Sequence, residues 1–317
     1  MRALVFVLRR LLAAAGTLLA VSVVLFAGSE VLPGDAASAS LGINATAEQT
    51  ALVRAELGLD RPLAVRYLEW IGNAVQGDLG VSVLERAPVA EIVAIPLADT
   101  ALLTLLAALA TIVIATALGL AAGLRPGSRI DRLLSGGALV AVSIPQFVIA
   151  GLLVLLFSSV LGWLPAVSLV PAGGAPIDRP EILILPVASL TIFAAAWASR
   201  LIRAIVIDAN TAPNVEAARL AGLPERQVIR RHLIPATIGP AAQAYAWLAS
   251  ALFGGTAVIE QIFNYPGLSE TLVNAVRHHD TPVLEGVGLL LAGIIIGSLV
   301  IADLIGLLVN PKLRTAA

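Results

Sequence analysis

The run TALLTLLAALATIVIATALGLAAGL, residues 100–124, holds 25 residues without a charge between Asp99 and Arg125. A helix rises about 1.5 Å per residue, so this run exceeds the ~30 Å hydrocarbon layer of a bilayer. It holds no proline, and it reads as a membrane span. Working outward, residues 11–29 form a similar run between Arg10 and Glu30. The run 133–177 is too long for one helix, and LGWLPAVSLVPAGGAP at 161–176 is rich in Pro and Gly, so a span over 133–161 is expected. Spans over 182–202, 238–259 and 286–309 complete a set of six. The 317 residues are 58% hydrophobic and 13% charged, against about 25% charged in soluble domains. The expected fold is an all-α membrane protein.

Orientation follows from the basic residues. With the N-terminus inside, fourteen of the twenty Lys and Arg fall on the cytoplasmic side: in 1–10, in the loop after 124, in 203–237 with the end of the fourth span, and in the tail 310–317. Both termini are then cytoplasmic. The segments outside are 30–99, 162–181 and 260–285. The first span is longer than the 7–15-residue core of a secretory signal, so it reads as an anchor despite the ASA at 37–39. Within 30–99, residues 45–60 and 62–75 carry the apolar spacing of two short helices, the first closed by Gly58, and Pro62 opens the second. This segment is a small helical cap, too short to fold alone. Cysteine is absent, excluding disulfides and thiolate metal sites, and the net charge of −1 gives no sign of nucleic-acid binding.

One charged stretch breaks the pattern. EAARLAGLPERQVIRRHLIP at 216–235 carries Glu216, Arg219, Glu225, Arg226, Arg230, Arg231 and His232. Each charge would cost about 2.5–3.5 kcal/mol at the centre of a bilayer, so the stretch lies in water. Glu216 to Ala221 favours a helix that Gly222 can end in a left-handed cap, and Pro224 suits the start of a second helix. Val228, Ile229 and Leu233 share one face of it, while the arginines point elsewhere. Two short helices bent about Gly222 are expected, with Pro235 marking the change into the fifth span.

The order Glu216-Ala217-Ala218, Gly222 and Pro235 resembles the EAA loop of permease subunits in binding-protein-dependent ABC importers: EAA, three residues, Gly, nine residues, then Ile-x-Leu-Pro. The chain departs at His232 and Ile234. RRHLIP at 230–235 is similar to the peptide and nickel branch, in which a Lys often precedes the Gly where this chain has Ala221. LPGD at 32–35, SIPQF at 143–147, VIEQIFNYPGL at 258–268 and DTPV at 280–283 fit the same branch, and NPKLR at 310–314 is a variant of its ending. The resemblance implies one permease domain over about 95–300, in a bacterial inner membrane. It implies no catalytic residue, with ATP and Mg on two partner ATPase subunits. No P-loop motif is present, in agreement. It further implies a second homologous permease, a heterodimer being expected, and an extracytoplasmic binding protein for di- or oligopeptides. Glu216, Ala217, Ala218, Arg219, Gly222, Arg226 and Pro235 would couple to the ATPase.

Other polar residues leave alternatives open. Glu260, Gln261, Asn264, Tyr265 and Asp280 could line an outer gate or hold a re-entrant loop together. Asp303 is the one acid inside a span, and such acids face the protein interior and pair with something. His278 and His279 are adjacent and point apart on a helix, so no metal site is read there. Gly288, Ala292, Gly293 and Gly297 would let helices pack closely. A secondary transporter of small polar solutes without an ATPase partner is the rival; it would show inverted repeats and mid-membrane ionisable groups. A membrane hydrolase would need a nucleophile or metal motif that is not apparent.

Overall fold

The computed structural model of the chain describes residues 2–31, 41, 46–56, 58–171 and 173–309. The segments 32–35, 37–39 and 310–314 singled out above lie outside them. Among the described residues the chain is helical, with only an isolated bridge between Val81 and Pro88. In chain order the helices are α1 (Arg2–Val31), α2 (Ala47–Glu56), α3 (Leu63–Val75), α4 (Val89–Gly123), α5 (Arg129–Ser143), α6 (Gln146–Leu153), α7 (Glu181–Asn210), α8 (Pro213–Leu220), α9 (Glu225–Val228), α10 (Ile234–Phe263), α11 (Leu268–Arg277) and α12 (Thr281–Val309). Five stretches are long and apolar enough to cross a bilayer: 5–31, 89–123, 181–210, 225–263 and 281–307.

The third expected span is a bent pair. Where one helix over 133–161 is expected, α5 and α6 meet at 99° across Ile144 and Pro145. Proline clashes with a helical residue before it, and Ile144 is accordingly extended, with ψ 125°. Beyond Leu153 the chain continues as a π-helical stretch over Val154–Val160. The other helices are longer than the apolar runs. α4 has 35 residues and begins at Val89, eleven residues before the uncharged run.

The core is α4 packed on α7, with α5 and α10 against α7 and α12 against α10 and α1. Gly119 and Gly123 let α4 and α7 approach until backbone nearly touches side chain; a Cβ at Gly119 would stand 2.6 Å from Ile202 Cβ. On α12, Gly288 takes the close contact expected of it, against Leu25 of α1. Gly293 and Gly297 face open space instead. Asp303 pairs with Arg10 across the α1–α12 contact.

A second ion pair joins α5 to α7. Arg203 Nε and Nη2 donate to the two carboxylate oxygens of Asp131 at 2.5 and 2.9 Å, and the Gly127 amide and Ser135 hydroxyl donate at 2.8 and 3.0 Å. Asp131 is 3% exposed. Truncating one partner of a buried pair strands the other charge, typically at 3–5 kcal/mol. Because the Arg203 side chain is 32% exposed, the lower end applies. Asp131→Ala is therefore expected to cost about 3 kcal/mol, seen as a lower thermal-unfolding midpoint of the detergent-extracted chain, with Asp131→Asn falling between. An unchanged midpoint would show that the pair contributes nothing net.

Candidate functional site

Between α7 and α10 the chain builds the two short helices the charge pattern predicts. α8 ends at Leu220, Gly222 turns the backbone at φ +78°, and α9 starts at Glu225. The second helix does not stop at Pro235. It passes through one π-helical turn, Ile229–Leu233, and runs on as α10. A proline lacks an N–H and crowds the carbonyl four residues back, and a π turn just ahead of Pro235 gives it room. The second loop helix and α10 thus form one continuous helical rod.

Val215, Ala218, Val228 and Leu233 are buried against Ile202 and Val206 of α7, which anchors the pair to the bundle. Arg219 locks the bend: its guanidinium donates to the Asn210 side chain at 2.5 Å, the Asn210 carbonyl at 3.2 Å and the Glu225 carboxylate at 2.8 and 3.1 Å. The bond to Glu225 holds its proton more tightly than usual. Glu216, Ala217, Gly222, Arg226 and Pro235 are exposed. So is Leu220, at 84%, on a helix whose Val215 and Ala218 are covered. The bend thus presents an exposed carboxylate and an exposed leucine on one short helix.

The outer residues divide. Glu260 is fully buried; the Thr100 hydroxyl donates to one of its oxygens at 2.7 Å and the Ser269 amide to the other at 2.9 Å. Thr100 Oγ1 in turn accepts the Leu268 amide at 2.9 Å. Tyr265 is equally buried and donates to the Asp99 carbonyl at 2.8 Å. Burial, aided by the charges of Asp99 and Glu260, pushes its phenol pKa up. Asp280 accepts from the Ser82 hydroxyl at 2.5 Å and the Val83 amide at 3.3 Å, holding the turn before α4. These three residues tie the loop after α10 to α4. Gln261 and Asn264 stay exposed, Asn264 in a left-handed cap at φ +47°. His278 Nδ1 lies 2.9 Å from the Asn274 carbonyl, and no three metal-ligating side chains converge among the described residues.

A third feature gave no sequence signal. A trough runs along α5, α7 and α10. Its middle is an apolar cavity of about 340 Å³ between Phe193, Trp197, Trp247 and Leu248, with Gln146 at one end. Trp197 and Leu201 also border the next hollow, towards Gln243. Trp197 reappears in a larger cavity, about 660 Å³, with Arg132, Arg200 and Arg203. Side chains one helical turn apart, such as Arg132, Ser135, Gly136 and Leu139, make each wall. Asp131 did have a signal, since Ser128-x-x-Asp131 is the capping pattern that opens a helix, and Ser128 accepts the Asp131 amide at 3.1 Å.

Residues 115–315 match the family model "Binding-protein-dependent transport system inner membrane component", and residues 3–93 match "Binding-prot-dependent transport system membrane comp, N-term". The chain is 33% identical over 308 residues to a putative peptide transport system permease protein of Brucella abortus (strain 2308), covering 97% of this chain and 98% of that one. It is 35% identical over 309 residues to the glutathione transport system permease protein GsiC of Escherichia coli (strain K12), covering 98% of each. Among solved structures, an inward-facing MetNI methionine ABC transporter aligns with TM-score 0.52 and 18% identity over 67% of this chain and 93% of that one. An amino acid ABC transporter crystallised with histidines aligns with TM-score 0.50 and 20% identity over 67% and 90%. These two likenesses bear on the fold alone.

Proposed function

Because this chain belongs to the family of binding-protein-dependent transport system inner membrane components and is the permease of an ABC importer, we propose that it carries peptides or peptide-like solutes and is driven through the α8–α9 element. Membership implies an ATPase and a substrate-binding protein as partners. The observation that carries the coupling reading is the exposed Glu216–Leu220 face on a bend locked by Arg219 and continuous with α10. Closure of the partner ATPases on ATP, with Mg, moves this element, and α10 follows as a rigid lever. The trough on α5, α7 and α10 is half of the path, completed by a second homologous permease in a heterodimer. Both termini and the loop 203–237 face the cytoplasm, where most arginines lie.

The names of the two relatives support a peptide-like solute. Gln261 and Asn264 are the outer residues placed to meet it or its binding protein; Glu260, Tyr265 and Asp280 shape the loop beneath. No observation favours an ATPase-free secondary transporter. The test is to tag the chain, extract it gently and identify its companions by mass spectrometry. A second permease, P-loop ATPases and a binding protein with bound peptide are expected. Recovery of the chain alone, under conditions that keep such complexes whole, would overturn the reading.

A further inference from the structure

The trough changes character along its length, and its inner end is unlike its middle. Around Trp197 and Trp247 the lining is apolar apart from Gln146. One turn further along α7 the cavity opens to about 660 Å³, and Arg132, Arg200 and Arg203 enter its wall with no acidic side chain among the lining residues. Arg203 is held from behind by Asp131. Among the described residues, Arg132 and Arg200 have no hydrogen-bond or ion-pair partner. Three guanidinium groups against one buried carboxylate leave two positive charges in excess, in a space walled by helices and adjoining an apolar slot.

We propose that this inner cavity is a subsite for the carboxylate of the transported solute, whose apolar part lies in the tryptophan-lined slot. The inference rests on the reading of the trough as half of the path. Guanidinium is planar and pairs with carboxylate through two parallel hydrogen bonds, which gives direction as well as attraction. Arg132 and Arg200 sit on different helices, α5 and α7, so a bound carboxylate bridges them. Arg203, fixed by Asp131, adds field without moving. When the helices shift, the two donors separate and the carboxylate is released. The same oxyanion chemistry would fit a lipid phosphate. The apolar slot beside the arginines, shared through Trp197 and lined by α7 and α10, suits a solute with an apolar body, and the nanodisc measurements below separate the two sources.

The test uses the purified complex with its partner subunits in phosphatidylcholine nanodiscs. The probes are N-acetyl-leucine and its neutral analogue N-acetyl-leucinamide, followed by saturation-transfer NMR without binding protein. Wild type is expected to bind the carboxylate probe roughly tenfold more tightly than the amide, the scale of a charge-assisted hydrogen bond. Arg132→Gln with Arg200→Gln is expected to erase that preference and leave amide binding unchanged. Arg132→Lys with Arg200→Lys keeps the charge and retains part of the preference. Equal binding of the two probes by wild type, or a preference that survives the Gln pair, overturns the proposal. So does retention of phosphatidylglycerol by wild type but not the Gln pair, with no probe bound, which would make the cavity a headgroup site. The path reading is checked separately in the cysteine-free chain, with single Leu201→Cys and Ala244→Cys variants and a water-soluble maleimide. Failure to label sinks the path reading, whereas labelling without a carboxylate preference sinks only the subsite.

Discussion

Glu216→Lys, and separately Gly222→Arg, is expected to reduce ATP-driven uptake to the level of vesicles without ATP, while the chain still inserts and unfolds at its normal temperature. Glu216 is exposed and feels Arg219 electrostatically, but it accepts no hydrogen bond among the described residues, so reversing its charge leaves the bundle's contacts in place. What it removes is a carboxylate from the face offered to the ATPase. Breaking one member of a docked charge pair costs about 2–5 kcal/mol of association. Gly222 acts differently. At φ +78° a side chain costs roughly 1–2 kcal/mol of backbone strain, and nothing lies within 4 Å of where its Cβ would stand. An arginine there projects from the surface of the bend, next to Leu220, and blocks approach. Reconstituted complexes supplied with binding protein and ATP provide the measurement. A wild-type uptake rate in either variant would detach this loop from coupling.

The legible features were those set by local chemistry. A glycine between two helix-forming runs gave the bend that Gly222 makes at positive φ. A lone acid in an apolar run foretold a partner for Asp303, although not that it would be Arg10. Features that depend on which helix meets which were hidden. Pro145 was visible, but the uncharged run around it masked a 99° break, because hydropathy counts residues and ignores direction. The trough could not be read at all, since Trp197 and Trp247 stand fifty residues apart and meet only through the packing of α7 on α10. The outer polar residues show the same limit. Glu260 and Gln261 are neighbours in sequence, yet one is sealed inside with Thr100 and Ser269 and the other faces out. Small residues at 288–297 suggested a tight helix contact, but only Gly288 of its glycines meets one. The closer contact lies in the run 100–124, where Gly119 and Gly123 are spaced four apart.

That spacing gives the larger structural prediction. Gly119→Leu with Gly123→Leu is expected to abolish accumulation of folded chain, and each glycine to alanine to lower the unfolding midpoint. A Cβ at Gly119 would lie 2.6 Å from Ile202 Cβ and 2.9 Å from the Ser199 carbonyl; one at Gly123 would lie 2.7 Å from Val206 Cβ and 3.0 Å from the Arg203 carbonyl. Each clash includes a backbone carbonyl and a Cβ whose place the backbone fixes, so no rotamer relieves it, and the helices must part. Overpacking typically costs about 1–3 kcal/mol per site where side chains can shift, which makes that a floor here. Ile202 and Val206 are almost fully buried and also carry α8 and α9, so displacing α7 loosens the Asp131–Arg203 pair and tilts the coupling element together. Gly16→Ala is the control. Nothing lies within 4 Å of the added carbon in α1, and replacing a helix-interior glycine there is expected to be neutral or to stabilise by up to about 1 kcal/mol. If Gly119→Ala matches Gly16→Ala in unfolding midpoint, α4 and α7 are not in the contact described, and the lever that α7 anchors would need another fulcrum.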